Sequence, residues 1–191
     1  LNVGTHSAVY TGNTTYNRTY STGINSESVI LVYTPYSANV GTYLYSTGSS
    51  NGTYTISIQS STGDASNYVI GTAGTFSMTS ATIEIPTAVT GLVYDGTTKT
   101  GVNAGTGYTV VGNTATNAGS YTATVSLTDP VNYTWSDGTT ANKQIDWEIA
   151  KANGTLTFNG ATVTYDGANH HLTATGNGGT IQYSTSQNGT F

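Results

Sequence analysis

Apolar and polar positions alternate along much of the chain. Over residues 120–127, Tyr121, Ala123, Val125 and Leu127 fall on one face of an extended segment, and most of the residues between them carry hydroxyls. The same period of two recurs at Ile145, Trp147 and Ile149, at Tyr54, Ile56 and Ile58, at Leu156 and Phe158, and at Ala161, Val163 and Tyr165. The run Val29-Ile30-Leu31-Val32-Tyr33 is apolar throughout and suits a buried strand. No window of about 11 residues holds an unbroken 3.6-residue stripe, so no helix is expected.

Turn signals separate these strands. Asn-Gly occurs at residues 51–52, 153–154, 159–160, 177–178 and 188–189, and Asp-Gly at 95–96, 137–138 and 166–167. Both pairs tolerate positive φ and favour tight turns. Residues 156–165 therefore read as a hairpin centred on Asn159-Gly160, and neighbouring strands are expected to pair antiparallel.

The chain also repeats itself. Ala8-Val9-Tyr10-Thr11-Gly12 resembles Leu92-Val93-Tyr94-Asp95-Gly96 and Val163-Thr164-Tyr165-Asp166-Gly167. Asn39-Val40-Gly41-Thr42-Tyr43 matches Asn117-Ala118-Gly119-Ser120-Tyr121, and Asn67-Tyr68 matches Asn132-Tyr133. Thr82-Ile83-Glu84-Ile85 and Ile145-Asp146-Trp147-Glu148-Ile149 read as the strands that close each copy. This gives a divergent first repeat at 1–86, a second at 87–152 and a partial third at 153–191. The expected fold is all-β: tandem small antiparallel domains, Ig-like sandwich or β-grasp-like, arranged end to end. The third copy has its opening motif without its later strands. It is expected either to belong to a longer chain or to receive strands from another subunit by β-augmentation.

The middle copy carries four motifs in order. They are Gly91-Leu92-Val93-Tyr94-Asp95-Gly96-Thr97-Thr98-Lys99, Asn117-Ala118-Gly119-Ser120-Tyr121-Thr122-Ala123, residues 133–140, and Trp147-Glu148-Ile149-Ala150-Lys151-Ala152. This set resembles the MBG/YDG-type repeats found in tandem in large bacterial surface and adhesin-like proteins. The first copy departs from it, with Thr11 in place of the Asp. The resemblance implies an extracellular, cell-surface location and a β-rich stalk or adhesive array. It implies no catalytic residues, because its motifs are turn and strand signatures.

Composition then narrows the partners. Charged residues are 7% of the chain, the net charge is -5, and only 4 residues are Lys or Arg. So few cations cannot neutralise a run of phosphates or dock on anionic lipid, and no stretch approaches 18 apolar residues, so neither nucleic acid nor membrane insertion is expected. Ser and Thr make up about 31% of the residues, giving a hydroxyl-rich surface. The 15 Tyr oppose disorder. With no Cys there is no disulfide and no thiolate site. The partners expected are neighbouring repeats, other copies of the chain, and host or matrix glycans.

Candidate chemistry is sparse. The histidines are His6, His170 and His171, and the adjacent pair points to opposite faces of a strand, so no enzyme is expected. Calcium is the one cofactor left open. Asp64, Asp95, Asp129 and Asp137 lie in predicted turns, but no D-x-[DN]-x-[DN]-G loop is present. An isopeptide crosslink would draw on Lys99, Lys143 or Lys151, with Glu148 or Glu84 as acid. The sequons at Asn13, Asn17, Asn51, Asn132, Asn153 and Asn188 are close to the roughly five that composition alone yields. Glycan binding is the functional alternative to a structural module. Aromatic rings stack on sugars, and Trp135, Tyr108 and Tyr36 are the candidates, with Tyr16, Tyr20 and Tyr45 also near predicted loops or strand ends.

Overall fold

The structure, a computed structural model, describes residues 1–160, 162–168, 173–177 and 180–182. His170, His171, Asn188 and Ala161 lie outside them. The described residues are almost entirely β, with one 3-10 turn at Ala65–Asn67. Strands β1 Asn2–Val3, β2 His6–Val9, β3 Tyr16–Ser21, β4 Ser28–Pro35, β5 Gly41–Tyr45, β6 Thr53–Ser60, β7 Thr72–Ala73 and β8 Phe76–Thr79 build a first core. Strands β9 Ala81–Ile83, β10 Lys99–Thr100, β11 Tyr108–Val111, β12 Thr114–Ala115, β13 Gly119–Leu127, β14 Tyr133–Trp135 and β15 Lys143–Ile149 build a second. A two-stranded pair, β16 Leu156–Asn159 with β17 Thr173–Gly176, follows.

Alternation matches the buried faces of the two cores but not of β16, where Leu156 and Phe158 are exposed. Ala123 and Val125 are fully buried, Trp147 and Ile149 nearly so, and Val29, Leu31 and Tyr33 sit at the centre of the first core. That core gathers Val29, Leu31, Tyr33, Tyr54, Phe76 and Met78 within a six-stranded sheet of order β2-β8-β5-β6-β4-β3. Stacked rings fill it: Tyr33 lies 5.4 Å from Phe76 and 5.7 Å from Tyr54. The second core packs Val102, Ala123, Val125, Trp135, Trp147 and Ile149 on the three-stranded sheet β11-β13-β15.

Three expectations are corrected. Pairing is antiparallel in most ladders, including the whole β11-β13-β15 sheet, but not throughout: β1 runs parallel to β7, β2 to β8, β5 to β6 and β9 to β14. Most of these partners are far apart in sequence, so no short turn announces them. The hairpin across 156–165 does not form. β16 pairs instead with β17, while Val163 and Tyr165 stand exposed outside any strand. Finally, the strand closing the first copy is β8, not residues 82–85. Tyr43 faces Phe76 across β5 and β8 as Tyr121 faces Trp147 across β13 and β15, and Gly41 faces Met78 as Gly119 faces Ile149. Ile83 and Ile85, by contrast, pack on the second core.

The shared motifs have definite local roles. In the Tyr-Asp-Gly turns, the Asp95 carboxylate accepts from the Thr97 N–H at 2.9 Å, and Asp166 accepts from the Ala168 N–H at 2.9 Å. Thr11 substitutes in the first copy, accepting from the Asn13 N–H with its hydroxyl at 3.3 Å. The following Gly12, Gly96 and Gly167 have φ of 79°, 82° and 75°, which a residue with a Cβ rarely adopts. In the Asn-x-Gly-x-Tyr motif, the Tyr hydroxyl donates back to the Asn carbonyl, Tyr43 to Asn39 at 2.5 Å and Tyr121 to Asn117 at 2.7 Å.

Gly101 shows how tightly the second core is filled. A Cβ there would lie 1.9 Å from Cδ2 of Trp147. Gly101→Ala is therefore expected to lower stability by about 3 kcal/mol in a denaturant titration. Tyr121→Phe, which only removes the hydroxyl bond, is expected to cost about 1 kcal/mol.

Candidate functional site at the joint between the cores

The aromatic candidates do not form one exposed platform. Trp135 is 1% exposed, and its indole N–H donates to the Ala141 carbonyl at 2.8 Å. Tyr108 packs against it at 5.9 Å between ring centroids and donates to the Asn103 carbonyl. Trp135 fills the second core, which corrects its expected availability to a sugar, while Tyr108 is half-buried against that core. Tyr36 is 55% exposed and follows β4 of the first core. Tyr16 is buried, and Tyr20 and Tyr45 are half-buried.

The acidic candidates are engaged within their own turns. Asp64 accepts from the N–H and hydroxyl of Ser66. Asp129 accepts from the Val131 N–H and from the Asn132 side chain. Asp95 and Asp137 each hold a Thr N–H, a Thr hydroxyl and a lysine, Lys99 and Lys143 respectively, both at 2.5 Å. Lys99, first, and the Thr97 donors hold Asp95 well below the usual carboxylate range. Lys143 and the Thr139 donors bring Asp137 down to about 2. No described lysine or carboxylate is buried, whereas an isopeptide site needs a buried cluster. Lys151, Glu148 and Glu84 are exposed.

What the sequence did not mark is the burial of Asn132, the one buried polar side chain among the described residues, at 3% exposure. It bridges the two cores. Its Nδ2 donates to Asn39 Oδ1 at 3.0 Å and to Asp129 Oδ2 at 2.7 Å, and its Oδ1 accepts the Val40 N–H at 2.7 Å. Both amide hydrogens are used, so the Asn132 sequon is closed to glycosylation in the folded state. Beside it, Tyr133 packs edge-on against Tyr10 at 5.6 Å. The chain crosses at the same place: β9 follows the first core directly and pairs in parallel with β14. The Ala81 N–H donates to the Asn132 carbonyl, and the Ser136 N–H to the Ile83 carbonyl.

The site thus offers a polar seat on the first core, made by Tyr10, Asn39 and Val40. The second core supplies the hook, made by Asp129, Asn132 and Tyr133. The only hint in the sequence was the match of Asn132-Tyr133 to Asn67-Tyr68, which recorded a repeat and not a contact. Comparison with protein-family models, with curated proteins and with solved structures returns no match.

Two measurements check this geometry. Asn132→Ala strands buried partners and is expected to cost about 2 kcal/mol, splitting one calorimetric transition into two as the cores uncouple. The folded pKa of Asp137 lies below its ordinary 3.8, so its turn is stabilised above that value and loses the contribution as pH falls toward about 2. A carboxyl-carbon NMR titration should show that low midpoint, and Lys143→Met should raise it.

Proposed function

We propose that the chain is a structural repeat module of an extracellular surface adhesin, stalk or self-assembling filament, built from tandem Ig-like or β-grasp-like units and performing no catalysis. The observation that carries this reading is the joint. One repeat motif seats the next through a buried asparagine, a fixed contact that transmits orientation from unit to unit. The hydroxyl-rich surface and the resemblance to MBG/YDG-type repeats support the same reading. Within it, the turn and strand motifs serve architecture: Asp side chains close turns, tyrosines tie loops to strands, and calcium has no assigned role.

A glycan-binding adhesin domain is the second reading, favoured by the exposed ring of Tyr36. Trp135 cannot serve as its probe, because truncating a buried indole that fills the core would unfold the unit. Tyr36→Ala is the suitable variant on a glycan array: binding lost in a folded Tyr36→Ala protein supports the glycan reading. For the module reading, solution scattering is expected to give an elongated particle with a fixed spacing between two dense units. A compact globular profile would overturn it.

A further inference from the structure

The joint has two halves, and each half occurs a second time in the chain. The seat of Tyr10, Asn39 and Val40 has its counterpart on the second core in Tyr94, Asn117 and Ala118. The backbone matches: the Tyr10 N–H donates to the Thr79 carbonyl at 2.8 Å, and the Tyr94 N–H to the Ala150 carbonyl at 2.9 Å. Tyr43 and Tyr121 hold the carbonyls of Asn39 and Asn117 alike. Among the described residues, neither the Asn117 side chain nor the Ala118 N–H has a hydrogen-bond partner. Tyr94 is 40% exposed, and beside it opens a groove of about 440 Å³ lined by Tyr94, Asp95, Ala118, Lys151, Asn153 and Asn177.

The hook is duplicated as well. Asp64, Asn67 and Tyr68 of the first core correspond to Asp129, Asn132 and Tyr133. The Asn67 N–H donates to the Asp64 carbonyl at 3.1 Å, and the Asn132 N–H to the Asp129 carbonyl at 3.2 Å. Yet Asn67 is exposed where Asn132 is buried.

We propose that the Asp64/Asn67/Tyr68 hook of one chain docks into the Tyr94/Asn117/Ala118 seat of a second copy, head to tail. The occupant is argued from the joint already formed within the chain, where the corresponding hook of Asp129, Asn132 and Tyr133 fills the corresponding seat of Tyr10, Asn39 and Val40. Charge agrees: Lys151 lines the groove, at the position where the first core has Ser80, and presents a cation to a second chain whose net charge is -5. Hook and seat lie on different cores, so the contact is heterologous and repeats as an open filament unless the rotation happens to close a ring. This deepens the filament form of the proposed function and rests on that reading.

The test uses the full chain. Sedimentation velocity over a concentration series is expected to show growing oligomers. Asn67→Ala, an exposed substitution that leaves the fold intact, should raise the concentration needed by about tenfold through the loss of its hydrogen bonds. Lys151→Glu should weaken association in the same direction. Because the chain has no native cysteine, a chain carrying Asn67→Cys can be mixed with one carrying Ala118→Cys. That mixture should form disulfide-linked dimers, and a mixture of Asn67→Cys with Thr109→Cys should not. The contact is overturned if the chain sediments as a monomer throughout, if Asn67→Ala associates unchanged, or if both cysteine mixtures cross-link equally. A monomer that is still elongated in scattering would remove only this contact and leave the tandem-module reading standing.

Discussion

The bond from a tyrosine hydroxyl to the carbonyl four residues earlier is the constraint on which the rest of the molecule depends. Tyr43 is anchored in the first core against Phe76, so its hydroxyl is a fixed point. By holding the Asn39 carbonyl, it fixes a loop that has no ladder of its own. That loop then presents the Asn39 side chain and the Val40 N–H at the right separation to engage Asn132. A net contribution of about 1 kcal/mol per hydrogen bond is modest. Its leverage is positional, since a loop free to move would pay conformational entropy for every contact across the joint.

Alternation and turn chemistry made the buried faces legible, because both are local. Tyr121, Ala123, Val125 and Leu127 could be assigned to one face without knowing what that face touches. Partnership was not legible. Residues 76–79 and 82–85 alternate equally well, and only the register of Phe76 with Tyr43 shows which pair belongs together. Trp135 reads as open in the sequence yet is buried, because position near a loop says little about burial when a large ring has a core to fill. Asn132 was hidden for the opposite reason. Its type is common on surfaces, and only the two cores approaching each other turn it into a buried hub.

The scarcity of charge also takes on a structural sense. Two of the four cations, Lys99 and Lys143, are committed to turn carboxylates, where they reinforce bonds already made by Thr97 and Thr139. Exposed pairs of this kind add little stability by themselves. They do keep the Asp side chains ionised and oriented as acceptors for their turns. With so little charge left over, strand edges lack the lysines that usually discourage association, and copies of the chain meet with weak repulsion.

The parallel pairing of β2 with β8 has a mechanical consequence. The first of these strands lies near the start of its unit and the second near its end, and they point the same way. Tension applied through the two ends therefore slides one strand past the other, and the bonds between them share the load at once. An antiparallel hairpin pulled from its open end would instead unzip one bond at a time. The second unit keeps only a single bridge of this kind, Val93 in parallel with Ala150. The first unit thus closes on a shear clamp of four paired residues, and the second on a much shorter one.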